Sequence, residues 1–281
     1  MRREEREPQY IASALNTPML NYKVYYMGAK EKIQNVLLAL IAGGVTGLIF
    51  YGGQFKDEDG IATLATWISN VIIFLVVGII AVCVYLPMKS KKLKEKRKAE
   101  ITHQFRELLA ALSASLSSGM NMLESLTSAH KDLELEYSGK AYIVQEVKEM
   151  IDGMSNNVPI EDMMRSFGER SEIDDIKNFG IVFSMCYRTG GSLKDIVRRT
   201  NGILGEKIEI AEEIETAIAS NKMQFNVMMV FPVVMVLILR TMSSSFSASF
   251  ATPAGVVAMT VAIGIFIGAY KLGQAIMDVK G

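Results

Sequence analysis

Apolar residues in this 281-residue chain follow two patterns. Four stretches are apolar on every side over roughly the 20 residues that a bilayer core requires. They run from Ile33 to Tyr51, Trp67 to Leu86, Met223 to Leu239 and Ala254 to Tyr270, and none has a Lys, Arg, Asp or Glu in its middle. Between the second and third stretches the apolar positions instead recur every three or four residues, the period of an amphipathic helix. Ile101, Phe105, Leu108, Leu109, Leu112 and Leu116 share one face, and Gly119 then supplies a helix-ending position.

A short second helix follows. Ile143, Val147, Met150, Ile151 and Met154 mark a third, and Ile160, Met163, Met164 and Phe167 a fourth. From Ile173 to Tyr187 apolar residues surround the helix, which predicts the buried centre of a bundle. A sixth helix starts near Ser192 and runs toward the third stretch. No run alternates as a strand would. The predicted fold is therefore all-α: four transmembrane helices, two plus two, flanking one cytoplasmic bundle of about six helices. The expected divisions are an N-terminal cytoplasmic arm over 1–32, two transmembrane helices over 33–88, the bundle over 89–222, and two further transmembrane helices with a short tail over 223–281.

Charge sets the orientation. Lys89, Lys91, Lys92, Lys94, Lys96, Arg97 and Lys98 follow the second span, whereas the loop before it holds Lys56 beside Asp57, Glu58 and Asp59. Basic residues stay on the cytoplasmic side, so both termini and the bundle are expected inside a multi-pass inner-membrane protein. A charged segment before the first span, with a second span close behind, argues against a signal peptide. The first 20 or so residues read as a mobile arm. Tyr22 to Lys32 reads either as an interfacial helix, with Tyr22, Tyr25 and Tyr26 at headgroup level, or as ordinary juxtamembrane chain. The basic run sets topology and touches anionic lipid. Without interleaved aromatics it does not suggest nucleic acid.

One phrase occurs three times: a turn, an apolar residue, then an acid two positions on. The copies are Gly119-Met120-Asn121-Met122-Leu123-Glu124, Asn157-Val158-Pro159-Ile160-Glu161-Asp162 and Gly190-Gly191-Ser192-Leu193-Lys194-Asp195. Asn121 with Glu124 and Ser192 with Asp195 fit a polar cap followed by an acid in the first turn. Pro159 with Asp162 is a variant that cannot cap through its side chain. Helix starts explain the copies locally. A partner surface is the second reading, carried by Gly119, Glu124, Asp162, Arg188, Thr189, Gly190, Gly191, Leu193 and Asp195.

Arg188 to Ser192 lacks the spacing and the lysine of a phosphate-binding loop and reads as a helix-to-helix turn. Gly43 with Gly47 and Gly264 with Gly268 are small-residue faces for packing spans in lipid. Glu206, Glu209, Glu212, Glu213 and Glu215 form an acidic face on the last soluble helix, either solvated or open to a basic partner. Ile210, Ile214 and Ile218 lie on another face of that helix. Two histidines, His103 and His130, offer no metal-ligand spacing, and Cys83 and Cys186 read as free thiols. No hydrolase, nucleotide or C-x-x-C motif is present, so no catalytic residue, cofactor or metal is expected and the chain does not read as an enzyme.

The segments Glu107 to Ala114, Ser118 to Leu126, Pro159 to Met164 and, above all, Tyr187-Arg188-Thr189-Gly190-Gly191-Ser192-Leu193 resemble the type II secretion system F domain family. One such domain with two spans on each side is similar to the platform proteins of tight-adherence (Tad) pilus systems, TadB- or TadC-like, rather than to tandem-domain platforms with three spans. The second copy departs from the pattern, because it lacks the glycine-rich turn and has Asn157 where glycine is usual. The resemblance implies an inner-membrane platform that engages a hexameric secretion ATPase, passes pilin subunits to a growing fibre, and pairs with itself or a paralogous platform protein. Two rival readings are a membrane-anchored signalling adaptor and a small transporter. The transporter predicts ionisable groups inside the spans, which are absent from their middles.

Overall fold

The computed structural model describes residues 7–55, 62–242, 249–250 and 252–277. Among these, eight helices account for nearly all regular structure: α1 (Ala29–Tyr51), α2 (Leu64–Ser117), α3 (Met122–Glu136), α4 (Tyr142–Ser155), α5 (Ile160–Ser171), α6 (Asp174–Thr189), α7 (Leu193–Met242) and α8 (Pro253–Met277). Two three-residue strands, β1 (Tyr10–Ala12) and β2 (Pro18–Leu20), form an antiparallel hairpin. The chain divides into two compact units. The first joins the residues up to Tyr26 with Ser90–Ile210, and the second joins Met27–Lys89 with the chain from Ala211 onward. α2 and α7 are each continuous helices that contribute to both.

In the first unit the periodic apolar positions meet. Ile101, Phe105, Leu108, Leu109 and Leu112 of α2 are buried against Ile143, Val147 and Met150 of α4 and Met163, Met164 and Phe167 of α5 in one core. Phe105 sits edge-on to Phe167 and to Phe179, with ring centroids 6.0 Å and 5.4 Å apart, the favoured aromatic geometry. The second predicted helix, α3, is not short: it has 15 residues against 14 in α4.

Two expectations are overturned in this unit. First, α6 is buried on one side only. Ile176, Phe179 and Phe183 lie in the core, whereas Ile181, Val182 and Met185 are exposed. Apolar residues around a helix do not oblige its neighbours to cover both sides. Second, residues 7–26 are no mobile arm: the β-hairpin and the segment after it pack on α4 and α5, with Tyr22 fully buried between Tyr142 and Phe167. No interfacial helix spans Tyr22 to Lys32, since α1 begins only at Ala29.

In the second unit, α1, α2, α7 and α8 each carry a stretch long and apolar enough to cross a membrane. Ile68, Val71, Ile72, Val76, Ile79 and Ile80 on α2 are exposed, as lipid-facing residues would be. α1 and α2 approach closely at Gly43, where an added methyl group would overlap Ala81, and at Gly47, which lies against Val77. Gly264 and Gly268 on α8 instead face open space among the described residues. Arg240, near the end of α7, donates from Nη1 to the Leu48 carbonyl at 2.9 Å and from Nη2 to the Gly52 carbonyl at 2.8 Å, capping the end of α1. The charged residues Lys56, Asp57, Glu58 and Asp59 lie outside the described residues.

Candidate partner interface

The three copies of the phrase share more geometry than their letters suggest. Gly119, Asn157 and Gly190 have φ of 88°, 61° and 71°, the left-handed region. The residue after each donates its N–H to a carbonyl five positions back: Met120 to Ser115, Val158 to Gly153 and Gly191 to Cys186, at 3.2, 2.9 and 2.9 Å. That is the Schellman closure of a helix C-terminus. The residue two positions after the left-handed one then stands just before the next helix: Asn121 and Ser192 accept there through their side chains, whereas Pro159 makes no side-chain cap bond. Asn157 departs from the expected glycine without loss of geometry, because asparagine tolerates this region better than other side chains.

The acids stand three positions beyond each cap. At the first turn a full capping box forms: Asn121 Oδ1 accepts from Glu124 N–H at 2.9 Å, and Glu124 Oε2 accepts from Asn121 N–H at 3.1 Å. At the third, Asp195 N–H reaches Ser192 Oγ at 3.4 Å. Asp162 and Asp195 also pair with Arg165 and Arg198 on the following turn. All of these acids therefore have a local structural task.

Antiparallel packing brings the three turns to one end of the unit. α3 and α4, joined by the short link 137–141, share a cavity of about 310 Å³ lined from Thr127 to Glu134 on one side and Val144 to Ile151 on the other. α5 and α6 run antiparallel at close quarters, with Gly180 against the Met164 carbonyl and Gly168 against Lys177. Arg188 Nε donates to Glu161 Oε1 at 3.2 Å, so the last turn of α6, just before the third copy, meets the second copy directly. Thr189 is spent on the Met185 carbonyl, and Leu193 packs against the core.

Sequence reasoning missed a buried polar cluster beneath the N-terminal hairpin. Arg170 grips Glu146 with Nη1 to Oε1 at 2.8 Å and Nη2 to Oε2 at 2.6 Å, and Nη1 also reaches the Leu20 carbonyl. Tyr22 donates its hydroxyl to Glu146 at 3.0 Å, and its backbone N–H donates to the Arg170 carbonyl. Ser13 and Thr17 donate to Glu149. Burial, reinforced by the charge of Glu146, pushes the Tyr22 phenol well above its ordinary value. Burial works against the Arg170 cation, but the bonds to Glu146 outweigh it and raise its pKa. No local signal marks this cluster, because Glu146 and Arg170 sit in ordinary helical positions far from Tyr22 in sequence.

The basic run is partly consumed in the same unit. Arg97 is buried, its guanidinium 4.4 Å from the Tyr25 ring and 5.7 Å from that of Tyr142. Lys94 and Lys98 both hold Glu172, at 2.9 and 2.7 Å, and Lys98 and then Lys94 draw that carboxyl below its usual range. Lys91, Lys92 and Lys96 stay exposed.

The family model for type II secretion system protein F matches residues 108–241, from the last turns of α2 to the end of α7. Residues 108–241 are a type II secretion protein F domain. The protein F match includes all three Schellman turns. No curated protein and no solved structure matches the chain significantly.

Proposed function

We propose that this protein is the inner-membrane platform of a Tad-type pilus machine, with both termini and the first unit cytoplasmic. The observation that carries the reading is a single protein F domain whose first and last helices, α2 and α7, are continuous with membrane-spanning segments. The exposed Lys91, Lys92 and Lys96 beside the second span support the orientation. In this reading a hexameric secretion ATPase engages the first unit, and the end bearing the three turns, with Glu124, Asp162, Arg188 and Asp195, is the surface offered to it. Movement passes along α7 to the spans, where pilin subunits are taken from the bilayer. The protein acts as a scaffold rather than an enzyme.

A flexible Gly-Ser insertion after Ser220 tests the coupling. Piliation should be lost while the protein stays at its normal level in the membrane. Normal pili from the insertion variant would refute the proposal.

A further inference from the structure

On α6, Ile181, Val182 and Met185 are 43%, 44% and 64% exposed, although Phe179 and Phe183 beside them are buried. Asp174 and Asn178 precede them and Arg188 follows, at the three- and four-residue spacing that places all six on one stripe. From Asp174 to Arg188 the stripe is about 21 Å long. An acid stands at one end, apolar side chains occupy the middle, and a guanidinium stands at the other end. Asp174 is exposed and forms no ion pair among the described residues. Arg188 is 62% exposed at its side chain and uses only Nε on Glu161.

A stripe ordered acid, apolar, base is complementary to itself when turned end for end. We infer that this face of α6 docks on α6 of a second copy of this chain, the two helices antiparallel about a two-fold axis beside Ile181 and Val182. The pairing places Met185 of one copy against Asn178 of the other, and Arg188 of each beside Asp174 of its mate. It is isologous and closes at two copies. Three apolar side chains per copy fall well short of the roughly 800 Å² per partner of a stable soluble complex. The contact therefore depends on a membrane that confines both copies and raises their effective concentration. In this it rests on the platform reading.

The test uses the full-length chain in its membrane, with Cys83→Ser and Cys186→Ser removing the native thiols. Val182→Cys should form a covalent dimer with mild oxidant or a short bis-maleimide. Differently tagged Met185→Cys and Asn178→Cys chains, expressed together, should cross-link to each other several-fold more than either does to itself. Leu135→Cys on α3, 87% exposed, is the control and should not cross-link. Asp174→Arg should lower the Val182→Cys yield several-fold, whereas Asp174→Glu should keep it. Preferred Met185-to-Met185 cross-links, a Val182→Cys product with a different protein, or no product from a chain that still supports piliation would each overturn the inference. That last outcome leaves the platform reading intact, since the Ser220 insertion tests it separately.

Discussion

Arg170→Met should release the N-terminal hairpin from the first unit. In the folded chain Glu146 is 1% exposed and Arg170 5%. Two short bonds from Arg170, with the Tyr22 hydroxyl, satisfy the carboxylate. Methionine preserves the apolar stem but leaves the Glu146 carboxyl buried and short of two donors. Breaking a buried pair in this way costs about 3–5 kcal/mol. Because every ~1.4 kcal/mol is tenfold, protection of the hairpin should fall by about a hundred- to a thousandfold or more. Hydrogen exchange on the full-length protein in detergent reads this directly at the Tyr22 amide, which is bonded to the Arg170 carbonyl.

Glu146→Leu with Arg170→Met removes both charges and should recover much of the loss. The recovery is incomplete, since the Tyr22 hydroxyl is then orphaned at a cost of about 1–3 kcal/mol. Tyr22→Phe alone should cost about 1 kcal/mol, a milder variant for the case in which Arg170→Met does not fold. Wild-type protection in Arg170→Met, or a double variant no better than the single one, would refute the argument that an uncompensated carboxylate drives release.

Two further outcomes follow from the same structure. Gly190→Val puts a branched side chain at φ 71° and should destabilise the α6–α7 turn by about 1–2 kcal/mol or more, whereas Asn157→Gly should be neutral or slightly stabilising; thermal melts in detergent would separate them, and equal effects would contradict the shared-turn geometry. The Tyr22 phenol is raised in the folded state, so its contribution is complete below the ordinary tyrosine pKa of ~10 and is lost as pH climbs above it. Hairpin protection should therefore fall on the alkaline side in the wild type and less steeply in Tyr22→Phe, and parallel pH profiles would sink this assignment.

The elements legible in the sequence depend on neighbours within one helical turn. The four spans follow from continuous apolar runs, and the three helix starts follow from caps and acids three positions apart. The capping box of Asn121 and Glu124 closes within four residues, so nothing distant can overrule it. The features that differ from expectation depend on partners far along the chain. Tyr22 reads as a headgroup-level tyrosine, yet its acceptor lies 124 residues away on α4.

The sequence by itself determined an all-helical membrane chain, its spans, and three repeated turns with the family signature in the third. Only the tertiary structure decided which face of α6 is covered, that the N-terminal segment is a docked hairpin, and that Arg97, Lys94 and Lys98 are engaged by Tyr25, Tyr142 and Glu172 within the fold. Helix periodicity and capping are short-range, encoded residue by residue. Burial is a property of whatever arrives from elsewhere, and a buried Glu146 and an exposed Glu124 carry the same letter.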